Sequence, residues 1–398
     1  MQEFHVEDAT QSNLPTSVFL IGYIVGPLAF SPLSETVGRR LVLLPSLTVF
    51  ALSTVACALS PNWGSLLFFR FICGTMGSAP QTVVGGVYAD MFFDLRERGR
   101  VMAFYMASAS FGPILGPIIS GFASSSYGWR WTFWIASILA GCAWICLLFV
   151  PETFGPIVKR PLAMLLFEPI ITFTSIYIAL AYGLVFFYFQ AYPIIFEGVY
   201  GFDVQMTSLA FLPVGVGAAS TGLVALYWDM TYDKAKKHNK PWRFGSELHR
   251  LPISCLGAVL LTASSFWLAW TSRADVHWAV PIASGVVFGF GYQTIFVSLL
   301  TYVTDAYKIY SASALASSVI LRSVLGALLP LAAKPMYGTL GVSWATSLVG
   351  FLSLACVPIP FVLLYKGAWV RERSKFCQQL MKEEQLKESS DIERGIQG

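Results

Sequence analysis

GPLAFSPLSETVGRR, residues 26–40, closes one apolar segment and opens the next within a very short turn. The turn carries one carboxylate, Glu35, one glycine, Gly38, and the arginine pair Arg39 and Arg40. Glycine permits a tight turn because it has no Cβ atom, and basic residues just inside a membrane fix the direction in which the flanking helices cross it. The stretch therefore predicts a charged hairpin between two membrane spans.

The composition of the whole chain agrees with this reading. Of 398 residues, 56% are hydrophobic and 12% are charged, and the mean hydropathy is +0.64. Apolar runs of about 20 residues recur, and that is the length of helix that crosses about 30 Å of hydrocarbon. Backbone groups in lipid must be satisfied within the segment, so these runs are predicted to be helices. The sequence predicts an all-α polytopic membrane protein embedded in a lipid bilayer.

Eleven spans follow from the apolar runs. They are predicted at residues 13–34, 41–59, 65–90, 101–123, 131–150, 169–190, 205–227, 251–270, 279–301, 311–332 and 342–365. Every second connection between the predicted spans, beginning with residues 35–40, together with the C-terminal tail holds 21 lysines and arginines in total. The remaining connections hold three. The positive-inside rule then places the N-terminus outside and the C-terminus in the cytoplasm.

Other classes of function find no support in the sequence. No basic tract with interleaved aromatic residues is present, which excludes a nucleic-acid partner. None of the four histidines lies in a predicted span, and Cys142 and Cys146, four apart on one helix, are read as packing residues. No nucleotide-binding GxxxxGK[ST] motif and no clustered nucleophile and base are found. We expect no enzyme activity, no cofactor and no bound metal.

Three motifs identify a family. S-P-L-S-E-T-V-G-R-R, residues 31–40, resembles the loop between helices two and three of the major facilitator superfamily, with Glu35 at the acidic position and Ser31 where a glycine is usual. The run from Arg70 to Gly77 resembles the fourth-helix pattern of that superfamily. The fifth-helix motif of its antiporters is matched by Gly112, Pro113, Gly116 and Pro117, followed by Gly121. All three occur in the expected order.

Further stretches are similar to the fungal drug:proton antiporter group of this superfamily. They include Pro151-Glu152-Thr153, residues 192–196 and 266–272, and the glycines of residues 285–291. The resemblance implies a monomeric secondary transporter, expected in the plasma membrane, that exports drugs, toxins or secondary metabolites in exchange for protons. Its partners would be a small organic substrate and protons. Alternating access would come from two helical bundles that rock around a site near the middle of the membrane.

The resemblance also predicts the organisation of the chain. Residues 1–150 would form an N-terminal bundle of five spans, residues 151–168 a short cytoplasmic linker, residues 169–365 a six-helix bundle and residues 366–398 a cytoplasmic tail. In the superfamily the loop at residues 31–40 follows the second helix, so the first of twelve helices is expected to be missing. The connection at residues 228–250 is predicted to be a solvated loop.

Polar residues inside the spans are the candidate site residues. Arg70, Arg322, Gln190 and Gln293 are polar within predicted spans, and a charge in a span marks a functional site by default. Arg70 lies near one membrane surface, which its side chain can reach by extending along the helix. Arg322 lies near the middle, so we expect it to face the central cavity or a polar partner. The aromatic candidates for the cavity wall are Tyr182, Phe186, Tyr188, Tyr292 and Phe296.

Proton coupling and gating have candidates only at span ends. Glu35 and Asp90 are predicted to pair with Arg39, Arg40 or Arg98 in a latch that depends on conformation. The alternative is that these are static charges at helix ends. Two functional alternatives also stay open, an importer of nutrients or polyamines with the same fold and a membrane protein that does not transport.

Overall fold

The computed structural model of the chain describes Phe4, Gln11 and residues 14–91, 95–149, 168–238, 247–307, 311–374 and 378. These residues are almost entirely helical. The predicted linker at 151–168 lies outside them except for Glu168, and so does the predicted tail beyond Ser374 except for Gln378.

The helices divide into two halves in chain order. The first half contains α1 (Leu14–Thr36), α2 (Arg39–Ala58), α3 (Trp63–Met91), α4 (Leu95–Tyr127) and α5 (Arg130–Leu148). The second half contains α6 (Pro169–Tyr192), a π-helical turn (Pro193–Glu197), α7 (Val204–Leu209), α8 (Leu212–Lys237), α9 (Glu247–Thr271), α10 (Ala279–Tyr307), α11 (Ser311–Cys356) and α12 (Pro358–Arg373). Every predicted span falls on one or two of these helices.

Most of these helices are long and apolar enough to cross a membrane. Among the described residues, seven stretches are long and apolar enough: Arg39–Ala58, Arg130–Leu148, Pro169–Glu197, Val204–Tyr232, Leu251–Thr271, Ala279–Tyr307 and Ser317–Gly367, with a shorter apolar helix at Leu14–Pro27. The last stretch has 51 residues, about 75 Å of helix and enough for two crossings. Gly341, with φ 73° and ψ 172°, breaks it between the two predicted spans.

The prediction of a loop at residues 228–250 is wrong for most of its described part. Helix α8 continues to Lys237, and α9 already begins at Glu247. The end of α8 carries lysines, whose long side chains reach water while the helix continues beyond its apolar part. Because hydropathy falls there, the sequence alone placed the end of the helix too early.

The two halves repeat the same packing. In the first half α3 packs against α1 and α2, and α2 packs against α5. In the second half α10 packs against α8 and α9, and α9 packs against α11 and α12. The halves contact each other through α11 with α1 and α3, and through α4 with α7, α8 and α10. Residues on α3 and α4 can therefore meet residues on α10 and α11 between the halves.

Glycine allows the closest helix crossing in each half. A Cβ atom at Gly74 of α3 would overlap the carbonyl oxygen of Phe19 on α1. In the second half a Cβ atom at Gly289 of α10 would overlap the carbonyl oxygen of Val214 on α8, and one at Gly217 would overlap that of Val286. Small residues let membrane helices approach closely and gain van der Waals contact. The crossing of α8 and α10 therefore requires glycine at positions 217 and 289.

Candidate functional site

The arginine-rich turn between α1 and α2 is tied to its neighbours through both arginines. Gly38 has φ 120°, a conformation that favours glycine. Arg39 is buried and its Nη1 donates to the Ser34 hydroxyl at 3.2 Å. The Nη2 atom of Arg40 donates to the carbonyl of Leu148 at 2.9 Å, at the last residue of α5. A cation at a helix C-terminus is favourable because the last carbonyls lack helical partners.

The other charged residues of the predicted latch lie at helix ends. Glu35 is in the last turn of α1, Asp90 is near the end of α3 and Arg98 is in the first turn of α4. The side chains of these three residues lie outside the described part of the chain. The latch therefore stays a prediction.

The side chain of Arg70 lies between helices of the first half. Its guanidinium carbon lies 4.5 Å from the ring centroid of Phe133 and 5.9 Å from that of Phe19, on α5 and α1. Its Nε atom is buried without a hydrogen-bond partner among the described atoms. Contacts with two aromatic faces stabilise a cation away from water, and they hold Arg70 between helices of one half.

The predicted antiporter motif on α4 makes a close contact at one of its glycines. A Cβ atom at Gly121 would overlap the Ser208 hydroxyl of α7. At Gly112 and Gly116 no described atom lies within 4 Å of the Cβ position. Pro117 lies beside a crevice between α4 and the second half, and the side chain of Pro113 is outside the described part. Of the three motif glycines, Gly121 is thus the one at which α4 closely approaches a neighbouring helix among the described residues.

Arg322 lies where the two halves meet. Its side chain is 4% exposed, and its Nη2 atom donates a hydrogen bond to Oε1 of Gln81, on α3 of the other half. Its guanidinium carbon lies 5.4 Å from the ring centroid of Tyr182 and 5.3 Å from that of Phe296. Arg322 thus has a polar partner and a position between the bundles.

A small cavity of about 10 Å³, the volume that one water molecule needs, lies at this contact, so a larger molecule can enter only when the halves separate. Its walls come from α3, α4, α10 and α11, and its lining residues are Gln81, Tyr105, Phe296, Leu300, Leu315, Val319 and Arg322. None of these residues is acidic, so the described wall carries one positive charge. The Nε atom of Arg322 has no hydrogen-bond partner among the described atoms, which leaves a donor available to a ligand.

The predicted aromatic wall is divided between this cavity and the interior of the second half. Tyr182 packs on Phe186 with ring centroids 5.0 Å apart, beside Arg322. Phe296 packs on Tyr292 at 5.7 Å. Tyr188 instead stacks on Phe288 at 4.0 Å and belongs to the core of the second half.

The two amides predicted as site residues, Gln190 and Gln293, lie away from this cavity. Gln293 is 2% exposed and its Oε1 has no hydrogen-bond partner among the described atoms, and Gln190 is half-buried. Neither lines the cavity at Arg322. Gln81 and Tyr105, which do line it, were not predicted. Gln81 carried the same signal as the other two glutamines, a polar amide within a span.

A second polar contact lies at the far end of α10. Glu168 is 1% exposed and comes just before α6. The Tyr307 hydroxyl donates to its Oε2 atom at 3.0 Å and is itself fully buried. Buried charged groups must be hydrogen-bonded, so this bond fixes the start of α6 to the end of α10. Within the described residues no group of three or more His, Cys, Asp and Glu is placed to hold a metal.

Replacing Tyr307 with phenylalanine should destabilise the second half. The change leaves Glu168 without this donor, and a lost hydrogen bond to a buried charged group costs about 1–3 kcal/mol. We expect a lower midpoint of thermal unfolding in detergent, measured by tryptophan fluorescence. Tyr192→Phe is the matched control, since the Tyr192 hydroxyl is buried and has no hydrogen-bond partner in the described part of the chain. Equal midpoints for the two variants would contradict the role of the bond.

Comparison with known proteins places the chain among transporters. The sequence profile of the Major Facilitator Superfamily matches residues 1–330. The chain is 35% identical to the MFS-type efflux pump MFS2 of Trichophyton rubrum, over 98% of this chain and 73% of that protein. It is 34% identical to the multidrug transporter mdrA of Aspergillus fumigatus, over 94% of this chain and 67% of that protein.

Solved structures agree on the fold. The proton:xylose symporter XylE superposes with a TM-score of 0.69 at 17% identity, over 92% of this chain and 88% of that chain. The human organic anion transporter MFSD10 superposes with a TM-score of 0.65 at 18% identity, over 89% and 83% of the two chains. The predicted fold class, an all-α membrane protein of the major facilitator type, is confirmed.

Proposed function

Because the chain belongs to the Major Facilitator Superfamily and is a multi-pass membrane transporter rather than an enzyme, we propose that it exports drugs, toxins or secondary metabolites in exchange for protons. Relatives that share about a third of its residues are named efflux pumps and a multidrug transporter, which supports the outward direction. We propose the plasma membrane as its location, as the resemblance to the antiporter group implies. From the distribution of lysine and arginine we place the N-terminus outside and the C-terminus in the cytoplasm.

The hydrogen bond between Arg322 and Gln81 carries the proposal. It joins the second half to the first at the wall of a cavity that lies between them. Alternating access requires contacts between the halves that form in one state and break in the other. A substrate that accepts a hydrogen bond from Arg322 competes with Gln81 and couples its own binding to the separation of the halves.

The walls of the cavity suggest the substrate class. Phe296 and Tyr182 stack on the guanidinium, and Leu300, Leu315 and Val319 supply apolar surface. Apolar walls with few polar groups suit amphipathic organic molecules. The single positive charge favours an acidic or electron-rich group on the ligand, because a buried guanidinium gains most from an acceptor that replaces lost water.

For the proton carrier we propose a carboxylate at a helix end. Glu35 lies in the last turn of α1 and Asp90 near the end of α3, and protonation of either one would remove a charge that can pair with Arg39 or Arg40. Such a change alters the balance between two conformations when the pair exists in only one of them.

Transport assays test the proposal directly. The purified chain is reconstituted in vesicles, and a panel of fluorescent organic anions, neutral compounds and cations is measured with an imposed proton gradient. We expect accumulation of acidic and neutral amphipathic compounds against their gradient, and its loss when a protonophore is added. Flux that is unaffected by the protonophore contradicts proton coupling, and flux driven in the same direction as the protons contradicts export.

A further inference from the structure

A crevice of about 240 Å³ lies between the halves near the end of α4. Its walls come from the last third of α4 and the start of α5 in the first half, and from α6, the π-helical turn, α7 and α8 in the second half. Pro117 in its wall comes twelve residues after Tyr105 of the cavity at Arg322, about 18 Å of helix. This α4 crevice is therefore a separate site on the same interface.

Hydrogen-bond acceptors make up most of the polar wall of the α4 crevice. The hydroxyls of Ser120, Ser124 and Ser208 each donate to a carbonyl of their own helix, at 3.2, 3.2 and 2.7 Å. Their hydrogens are therefore used, and each oxygen offers only lone pairs to a ligand. An ionised carboxylate also only accepts, and Glu197 is the one charged residue of the described wall.

Thr207 adds a polar group whose hydrogen-bonding capacity is unused. Its side chain belongs to the wall and is 3% exposed. Its Oγ1 atom has no hydrogen-bond partner among the described atoms. Burial of an unpartnered hydroxyl is costly, so a ligand with a polar group that reaches Thr207 recovers this cost.

The rest of the wall is largely apolar and partly aromatic. Phe189 and Phe211 pack edge to face with ring centroids 5.4 Å apart, and Pro117 and Pro193 add apolar surface. Such a wall accommodates a flat ring. Since sites for drug-sized ligands begin at about 300 Å³, the crevice fits a smaller molecule.

We propose that the α4 crevice binds a small aromatic amine in its protonated form. The ammonium group supplies three N–H donors, which match the Glu197 carboxylate and the serine oxygens around it. The ring packs against Phe189 and Phe211. An anion would meet the carboxylate and oxygens that have no hydrogen to donate, so this site has the opposite charge preference to the cavity at Arg322.

A ligand in the α4 crevice also bridges the two halves. Ser120 and Ser124 belong to the first half, whereas Glu197 and Ser208 belong to the second. Beside the crevice the halves are already in contact, since Nε2 of Gln205 donates to the Ser125 hydroxyl at 3.0 Å. A ligand that binds only when both walls are together stabilises that state. We therefore expect the amine to slow efflux, and this consequence rests on the proposed function, whereas the binding does not.

Phenethylamine is the probe for this site, and 2-phenylethanol is the matched neutral compound with the same ring and chain. The full chain is purified in detergent at neutral pH, and the affinity for each compound is measured by isothermal titration calorimetry. We expect one amine per chain, bound at least about tenfold more tightly than the alcohol, because hydrogen bonds between charged groups are the stronger ones.

Three variants separate the α4 crevice from adventitious binding. Glu197→Gln should weaken amine binding about tenfold and leave the affinity for the alcohol unchanged. Thr207→Val keeps the shape of the side chain without its hydroxyl and should weaken amine binding about threefold. Asp203→Asn is the matched control, because it removes one negative charge outside the wall and asparagine caps α7 as well as aspartate does. Its affinity should stay within about twofold.

Two binding results would overturn the proposal. One is equal affinity for the amine and the alcohol, and the other is an equal loss of amine affinity in Glu197→Gln and Asp203→Asn. Each variant must first elute as a single symmetric peak in size-exclusion chromatography.

Efflux from vesicles tests the bridging of the halves. The amine should slow efflux by the original chain and have no effect on efflux by Glu197→Gln. Efflux that continues unchanged with the amine bound contradicts the bridging. Amine binding by a chain that transports no compound supports the site and contradicts the proposed function.

Discussion

Replacing Arg322 with alanine is expected to lower the rate of substrate efflux about tenfold to a hundredfold, because a hydrogen bond to a charged group is worth about 1.5–3 kcal/mol and each 1.4 kcal/mol is a factor of ten. The change removes the cation stacked between Tyr182 and Phe296 and leaves Gln81 without its donor. The measurement is the initial rate of efflux from vesicles that contain equal amounts of folded protein.

Two control variants make this prediction specific. Arg273 also lies over an aromatic ring, at 5.5 Å from Trp270, but it is exposed at the end of α9. We expect Arg273→Ala to transport within about twofold of the original chain, since exposed charges contribute little. Arg322→Lys should give an intermediate rate, because lysine keeps the charge but lacks the planar group that stacks on two rings. If Arg322→Ala and Arg273→Ala behave alike, the cavity at Arg322 is not the transport site.

A double-mutant cycle measures the contact itself. Gln81→Leu removes the acceptor, and its effect on the efflux rate should not add to that of Arg322→Ala, because the two residues share one bond. Additive effects would show that Gln81 and Arg322 act separately.

Replacing Gly217 with valine is expected to prevent stable assembly of the second half. A Cβ atom there overlaps the carbonyl oxygen of Val286 on α10, and the two helices must separate to admit it. Overpacking in a well-packed interior costs about 1–3 kcal/mol or more, and the lost contact between α8 and α10 adds to this. We expect a much lower yield of monodisperse protein and a lower midpoint of thermal unfolding in detergent.

Gly222→Val on the same helix is the matched control. Gly222 is exposed and no described atom lies within 4 Å of its Cβ position. The same side chain is thus added to the same helix without overlap, and propensity effects are equal. A comparable loss of stability in both variants would show that the close crossing of α8 and α10 is not required.

The spans were predictable because hydropathy reports how deep a residue lies in the membrane. All eleven predicted segments fall on helices, from α1 at Leu14–Thr36 to α12 at Pro358–Arg373. Hydropathy does not report where a lysine-bearing helix stops, and that is why α8 continues through the predicted loop to Lys237.

The site was predicted only in part, because hydropathy reports depth in the membrane but not which side chains of different helices meet. The depth of Arg322 and its need for a partner follow from one sequence. The choice of Gln81 over Gln190 and Gln293 does not, because it depends on how each helix is rotated about its axis and on which helices adjoin across the two halves. Tyr188 illustrates the same limit, since its side chain turns toward Phe288 in the core.

The bond between Arg322 and Gln81 also bears on how related transporters diverge. Its two partners lie 241 residues apart in the chain and on separate halves, so a substitution at either one alone leaves a buried polar group unpaired. Lineages should therefore pass through paired replacements, and positions 81 and 322 are expected to covary across the family. An arginine retained beside an apolar residue at position 81 would mark a transporter whose halves are held together by a different contact.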